Sequence, residues 1–214
     1  MSDIFILNNT KIEGISNLPL LQIEYLPSSI DMSKYDFLIF TSKNAIYSLN
    51  SFDTSWKKTP SFAIARKTEE IVLKEGGLVE YTGTSSNGND FAHEIKAKLI
   101  NKKVLYIRAE KVVSNLVEIL KSHEVLVEEL ITYKTVCNKD ERQIVLPKKS
   151  VIIFSSPSTI KCFFNQYEWH DSYKAVVIGQ TTASYLPKYI DFHLPVKLSL
   201  EACIKLAREI SQNI

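Results

Sequence analysis

Short apolar runs alternate along this chain with segments whose apolar residues recur at helical spacing. Strands buried on both faces appear as near-continuous apolar runs, and parallel strands need a crossover helix between them. The alternation therefore predicts βα units around a parallel sheet. The predicted strands are IFIL (4–7), FLIF (37–40), SFAIA (61–65), LVEY (78–81), VLYIR (104–108), VIIF (151–154) and AVVIG (175–179).

Two of the intervening segments have a clear apolar helical face. Phe91, Ile95 and Leu99 share one face. The apolar residues of the segment 200–207 share another, behind a predicted Ser199 N-cap. Together with the strands, these helices predict an α/β fold.

The sequence contains an internal repeat at an offset of 114 residues. Residues 36–49 align without a gap on residues 150–163, and residues 62–72 align on residues 176–186. In the first match, a strand runs into a helix through a pair of hydroxyl residues in both copies. Two matches in one register predict a duplicated α/β unit.

The duplication is not a simple tandem, because VLYIRAE has no partner 114 residues downstream before the chain ends. Its best counterpart is the N-terminal strand of DIFILNN, so one domain is predicted to be discontinuous, with the other inserted into it. The two crossing segments alternate apolar and polar residues and are predicted to pair as an antiparallel ladder that acts as a hinge. The predicted division is a discontinuous domain (1–24 and 137–214), an inserted domain (28–130) and two crossing linkers (20–28 and 127–136).

Composition argues against several classes of protein. An apolar fraction of 45% with 23% charged residues is typical of a globular protein. A net charge of +2 is well below that of a typical nucleic-acid binder. No apolar run approaches the roughly 18 residues of a membrane span, and MSDIFILNN has an acidic residue where a signal peptide has a basic one. We expect a soluble protein without nucleic-acid or membrane partners.

The three cysteines, Cys137, Cys162 and Cys203, are far apart and have no CxxC or Cys/His spacing. This pattern fits neither a disulfide framework nor a zinc site. The four histidines show no ligand spacing either. We therefore expect reduced thiols, a cytoplasmic location and no metal.

Five short motifs occur in order between residues 36 and 186. They are a TS strand end before an NA-containing helix (DFLIFTSKNAI), an L-R strand end (VLYIRAE), Y-x-T on a crossing strand (TYKT), an F-S-S segment (IIFSSPST) and an IG-x-TTA turn (VIGQTTASYL). In this order the motifs resemble the uroporphyrinogen-III synthase family. The resemblance implies two flavodoxin-like, doubly wound α/β domains joined by a two-stranded antiparallel β-ladder.

The resemblance also implies a reaction. The expected enzyme is a cytoplasmic, monomeric, cofactor-free lyase that closes linear hydroxymethylbilane to uroporphyrinogen III, losing water and inverting ring D through a spiro intermediate. A transient hand-over from the bilane-producing enzyme is expected as well. Because the bilane can close unaided to the uninverted isomer, much of the catalysis would be positioning.

Four strand-to-helix corners are candidates to bind the substrate carboxylates: TSKN, ARKT, SSPS and GQTT. Amides at helix N-termini bind anions, and in a doubly wound sheet they face the crevice beyond the strand ends. Ordinary N-capping is the alternative for the Ser and Thr residues, and solvated surface charge is the alternative for the cations. The predicted binding residues are Thr41, Ser42, Lys43, Arg66, Lys67, Thr68, Arg108, Ser155, Ser156, Ser158, Gly179, Gln180, Thr181 and Thr182.

Tyr133 on the crossing strand matches the family's tyrosine, and the resemblance implies that it helps the substrate hydroxyl to leave. A phenol with a pKa of about 10 is a weak acid suited to assisting departure from an activated centre. Packing is the alternative role. The chain departs from the family pattern at Ala65 and Thr68–Glu69, which argues against a close backbone approach at that corner, whereas Gly179 keeps the pattern.

Two other functions fit parts of this pattern. A non-catalytic, hinge-closing binder of a small anion would have the same corners. A pair of response-regulator-like domains would need an acidic cluster at a strand end, which we do not find. The segment GTSSNGND (83–90) lacks the spacing of a phosphate-binding loop and is predicted to be a loop ending in a helix cap.

Overall fold

The computed structural model describes residues 3–8, 11–85, 87–138 and 144–214. The strands are β1 (Ile4–Ile6), β2 (Ser16–Asn17), β3 (Leu21–Tyr25), β4 (Phe37–Phe40), β5 (Pro60–Ala63), β6 (Leu78–Thr82), β7 (Lys103–Ala109), β8 (Leu126–Cys137), β9 (Val151–Phe154), β10 (Lys174–Val177) and β11 (Phe192–His193). The helices are α1 (Lys43–Asn50), α2 (Arg66–Lys74), α3 (Gly88–Ile95), α4 (Leu116–Lys121), α5 (Pro157–Phe164), α6 (Gln180–Ala183) and α7 (Leu200–Gln212). The α/β fold class is confirmed.

The chain divides into two compact units. We call Ile23–Thr135 the inserted unit, and Met1–Gln22 with Val136–Ile214 the split unit. Both chain crossings lie within the segments 20–28 and 127–136 that the sequence marks as linkers.

The inserted unit contains a six-stranded sheet in the order β3-β8-β7-β4-β5-β6. The neighbours from β8 to β6 are parallel. The edge strand β3 runs antiparallel to β8. The Leu26 amide donates to the Thr132 carbonyl, and the Asn138 amide donates to the Leu20 carbonyl, so residue numbers rise on one strand as they fall on the other.

The split unit contains a parallel sheet in the order β11-β10-β9-β1-β2. The repeat at an offset of 114 residues is visible in the fold: β4, α1 and β5 of the inserted unit coincide residue for residue with β9, α5 and β10. The N-terminal strand β1 lies beside β9 as β7 lies beside β4. Apart from the additional edge strand β3, the two units therefore have the same strand order, and the chain enters that order at different points.

Each parallel sheet is buried on both faces, as expected for strands covered by crossover helices. In β4, Leu38 and Phe40 pack in one core cluster and Ile39 packs in the other. In β9, Ile152 and Phe154 face one cluster and their neighbours face the second. The predicted apolar strands are thus the centres of the two cores. The short edge strands β2 and β11 carry no such run and were not predicted.

Local signals for helix ends correspond to observed caps. The Ser199 hydroxyl accepts from the Ala202 amide at 3.2 Å at the start of α7. Asn87 caps α3 by accepting from the Asp90 amide at 3.0 Å, so the segment before α3 does end in a cap. No helix of the described residues is long and apolar enough to cross a membrane.

The prediction about the cysteines is wrong for two of them. Cys137, the last residue of β8, forms a disulfide with Cys162 on α5. The two lie 25 positions apart in the sequence, but tertiary packing of α5 brings them together. Cys203 is a free, buried thiol on α7, and burial raises its pKa to about 11.

Candidate active site

The strand order of the inserted unit changes direction between β4 and β7. The chain proceeds from β4 through β5 to β6 on one side and then returns to β7 and β8 on the other. Ligands of open α/β sheets bind beyond the carboxyl ends of the strands at such a point. Thr41 and Ser42 follow β4 directly, Arg108 lies near the end of β7, and Tyr133 on β8 lies opposite Ala109, the last residue of β7. The fold thus brings four predicted site residues to one edge of one sheet.

Tyr133 is buried and packs with the core residues Leu130 and Ile107. Its hydroxyl group lies near the side chain of Ser42. Burial raises the pKa of Tyr133, and the neighbouring Ser42 side chain opposes that shift. The phenol therefore keeps its proton at neutral pH and is available as a hydrogen-bond or proton donor.

A second tyrosine lies at the same corner. The hydroxyls of Tyr106, on β7, and Thr41 are 2.9 Å apart. Burial is the main cause of a raised pKa for Tyr106, and nearby Tyr133 contributes to the rise. The sequence analysis missed Tyr106. Its signal was a phenol within the apolar strand VLYIR, because a buried Tyr hydroxyl usually needs a polar partner.

Ser42 has a structural task as well. It is the N-cap of α1, and its side chain accepts a hydrogen bond from the Asn44 amide at 3.2 Å. Lys43, the first residue of α1, is exposed. Ordinary capping, the alternative considered from sequence, therefore describes part of the role of Ser42, and its contact with Tyr133 is the other part.

Arg108 makes several contacts with the protein itself. Its Nε forms an ion pair with the Glu129 carboxylate. Its Nη1 donates to the backbone carbonyls of Ala109 (2.9 Å) and Glu110 (3.1 Å). Glu129 was not among the predicted residues, because nothing in its local sequence indicates that it lies beside β7.

The corner between β5 and α2 has no side-chain cap, since its N-cap residue is Ala65. The first-turn amides of Arg66 and Lys67 therefore receive no capping oxygen from that side chain. Arg66 and Lys67 are both exposed, and the Nε of Arg66 lies 3.4 Å from the Oε1 of Glu70. Thr68 is buried, and its amide donates to the Ala65 carbonyl.

The first corner of the split unit lies between β9 and α5. Ser156 caps α5 in a reciprocal capping box with Thr159: the Thr159 amide donates to the Ser156 hydroxyl, and the Ser156 amide donates to the Thr159 hydroxyl. Ser155 is half-buried and Ser158 is exposed. The hydroxyl and amide of Ser156 are thus both used in capping.

The second corner of the split unit has Gly179 as the N-cap of α6. Gln180 and Thr181 are exposed, and Thr182 is buried with its amide on the Gly179 carbonyl. A Cβ at Gly179 would lie 3.1 Å from a side-chain carbon of Leu198, so a larger residue would crowd this turn.

Cavities of about 320 and 380 Å³ flank α7 in the split unit, and neither is lined by a predicted site residue. A third, of about 290 Å³, is lined in part by Gln180. Across the described ranges no group of three or more His, Cys, Asp or Glu side chains could hold a metal ion.

The family model "Uroporphyrinogen-III synthase HemD" matches residues 15–195, which is most of the chain. The chain belongs to the uroporphyrinogen-III synthase family. The match includes all the motifs on which the resemblance depended and every predicted site residue. Membership gives the enzyme class of the chain as a cyclising lyase of porphyrin biosynthesis.

Solved structures of the same family agree with this assignment. The uroporphyrinogen-III synthetase from Helicobacter pylori 26695 is 30% identical, with a TM-score of 0.79, and the match covers 98% of this chain and 100% of that one. A mutant uroporphyrinogen-III synthase from the extremely thermophilic bacterium Thermus thermophilus is 12% identical with a TM-score of 0.52 over the whole of both chains, which is a likeness of fold alone. No curated protein matched the sequence.

Proposed function

We propose that this chain converts hydroxymethylbilane to uroporphyrinogen III and that Tyr133 is its proton donor. The observation that carries the proposal is the buried phenol of Tyr133 beside Ser42, which follows the central strand β4, in a chain of this family. The raised pKa of Tyr133 keeps the phenol protonated until it donates its proton to the departing hydroxyl.

The proposed reaction balances without a cofactor. Tyr133 donates its proton as the substrate's hydroxyl departs, so that water leaves and an electrophilic methylene carbon remains. The substituted carbon of ring D attacks that carbon to give the spiro intermediate. The bond from this ring carbon to its original bridging methylene then breaks, and that methylene bonds to the free carbon on the other side of the ring nitrogen, which inverts the ring. The final closure releases one proton, which returns to the phenolate. What the protein adds beyond this proton is mainly orientation.

Carboxylate binding is proposed for part of the predicted set of binding residues. The uncapped first-turn amides of Arg66 and Lys67 at the start of α2 support an anion site at that corner, since amides and helix dipole both favour negative charge. Polar groups at the other corners that are exposed, or half-buried in the case of Ser155, are proposed as further ligands: Lys43, Ser155, Ser158, Gln180 and Thr181. Thr41, Thr68, Ser156, Gly179 and Thr182 support these corners by capping, packing or backbone shape.

We also propose a monomeric enzyme that receives its substrate by transient hand-over from the bilane-producing enzyme. A cytoplasmic location stays a prediction. Family membership favours it, and the disulfide between Cys137 and Cys162 is more typical of an oxidising compartment.

The test couples the purified protein to a bilane-producing enzyme, oxidises the products and separates the porphyrin isomers. We expect the type III isomer to dominate. The bilane-producing enzyme alone is the control and should give the type I isomer. Type I product in both reactions would refute the proposed activity.

A further inference from the structure

The strand that carries Tyr133 contains a β-bulge. Arg108 on β7 lies opposite Ile131 on β8, and the next residue, Ala109, lies opposite Tyr133. Thr132 is thus an extra residue on β8. Bulges of this kind redirect a side chain and are enriched beside active sites.

The bulge determines which way Tyr133 faces. Side chains of a regular strand alternate between faces, so Leu130 and Tyr133, three residues apart, would lie on opposite sides of the sheet. Both instead pack in the same core cluster, with Leu105 and Ile107. Without the bulge, Tyr133 would face the opposite side of the sheet.

The Arg108–Glu129 ion pair lies directly before this bulge. Glu129 is opposite Tyr106 in the regular part of the ladder, and Arg108 is the last residue before the register shifts. Beyond the bulge the ladder resumes, with the Glu110 amide donating to the Tyr133 carbonyl at 2.8 Å. The Arg108 guanidinium therefore links β8 on one side of the bulge to the carbonyls of Ala109 and Glu110 on the other.

The Arg108–Glu129 ion pair is partly shielded from solvent. The side chains of Arg108 and Glu129 are 17% and 33% exposed, well below the exposure of the Arg66–Glu70 pair on α2, at 85% and 61%. Exposed ion pairs contribute little, whereas the attraction within a pair that is partly removed from solvent is screened less.

We propose that Arg108 and Glu129 are positioning residues that maintain the β8 bulge and so direct the Tyr133 phenol toward Ser42. The proposal rests on the proposed function, because it gives the pair its effect through Tyr133. It also revises the expectation for Arg108: the guanidinium acts on the protein backbone and on Glu129, and the substrate carboxylates bind elsewhere.

The experiment compares Glu129→Gln and Arg108→Lys with wild type and repeats both in a Tyr133→Phe background. In the wild-type background each change should lower kcat at least about tenfold, with KM within about twofold, because a small misplacement of a catalytic group is costly. In the Tyr133→Phe background neither change should lower kcat further. An independent, additive loss or a KM effect from Arg108→Lys alone would overturn the proposal in favour of direct substrate binding.

A matched control lies on the same two strands. Glu128 is the neighbour of Glu129 and pairs with Lys103 at 3.0 Å, away from the bulge. Glu128→Gln should leave kcat unchanged. A crystal structure of Glu129→Gln gives a readout besides activity: we expect the register at Ala109 to change and the Tyr133 hydroxyl to leave Ser42. An unchanged bulge would refute the positioning role, whereas a wild-type kcat for Tyr133→Phe would refute the catalytic role of that tyrosine and leave the bulge result standing.

Discussion

The carboxyl ends of the central strands in the two units share a capped turn but have different side chains beside it. Ser42 and Ser156, related by the offset of 114, both cap the helix that follows the first strand. Across the neighbouring strands, however, Ile39 lies opposite Tyr106 in the inserted unit, and Ile153 lies opposite Ile6 in the split unit. The duplicated turns serve folding in both units, and among the described residues only the inserted unit places phenols behind its turn.

A second equivalent pair shows the same division between shared scaffold and different chemistry. Ser48 on α1 and Cys162 on α5 occupy equivalent positions, and each joins its helix to β8. The Ser48 hydroxyl donates to the Thr132 carbonyl, whereas Cys162 bonds covalently to Cys137. The same geometric need is thus met by a hydrogen bond in one unit and by a disulfide in the other.

The largest expected effect tests whether a phenol of the inserted unit matters for turnover while one of the split unit does not. Tyr133→Phe should lower kcat by about a hundredfold or more, the typical contribution of general acid catalysis, with the fold intact. The matched control is Tyr173→Phe in the split unit, a half-buried tyrosine whose hydroxyl donates to the Leu146 carbonyl at 3.0 Å. Both variants lose one phenol hydroxyl, and only the first should lose turnover. Equal kcat values would remove Tyr133 from catalysis.

The next effect concerns the two links to β8. Cys137→Ser should destabilise the split unit by about 3 kcal/mol under oxidising conditions, since the disulfide closes a loop of 25 residues. Ser48→Ala should destabilise the inserted unit by about 1 kcal/mol. Hydrogen exchange, measured peptide by peptide, separates the two units. With dithiothreitol present, Cys137→Ser and wild type should agree, and a persistent difference would mean that the serine itself perturbs the site.

Replacing the two capping serines should cause smaller losses of stability, and only one of the two replacements should also lower kcat. Ser42→Ala and Ser156→Ala should each cost about 1 kcal/mol of stability, as expected for an N-cap. Ser42→Ala should also lower kcat, because it removes the partner of Tyr133, while Ser156→Ala should leave kcat nearly unchanged. Thermal unfolding and turnover of both variants decide the matter. Equal kcat losses would show that capping alone explains them.

The smallest effect depends on pH. Glu94 on α3 accepts hydrogen bonds from Ser85, Tyr81 and the Thr84 amide, with Ser85 the main cause of a lowered pKa. Because the folded-state pKa is lower, this stability is present above the ordinary carboxyl pKa and is lost as pH falls through the folded value. Glu94→Gln should therefore cost about 1 kcal/mol at pH 7, reduced by solvent screening, and progressively less as pH falls below the ordinary carboxyl pKa.

Arg208 on α7 of the split unit is the counterpart of Glu94 at the repeat offset of 114 residues. Its side chain donates to the Glu13 carbonyl at 2.9 Å. Urea unfolding of Glu94→Gln and Arg208→Gln at pH 7 and pH 3.5 makes the comparison. A loss for Glu94→Gln that is the same at both pH values would contradict the assigned role of its carboxylate.

Sequence reasoning succeeded where the determining interactions are local. The apolar strands, the caps at Ser199 and Asn87, and the repeat between the units depend on neighbours within a few positions or on direct comparison of two segments. It failed where residues distant in sequence meet. The Cys137–Cys162 disulfide, the contact of Tyr106 with Thr41 and the pairing of Arg108 with Glu129 each join elements whose adjacency follows from strand order and packing.

By itself, then, the sequence determined the α/β class, the duplicated corners and the family. Periodicity, capping and short motifs depend on residues that are close together in the chain. Only the tertiary structure decided which hydroxyl meets which phenol and that Tyr133 faces the interior. One extra residue in β8 reverses the alternation of its side chains, and a bulge is defined by the partner strand, which no local pattern contains.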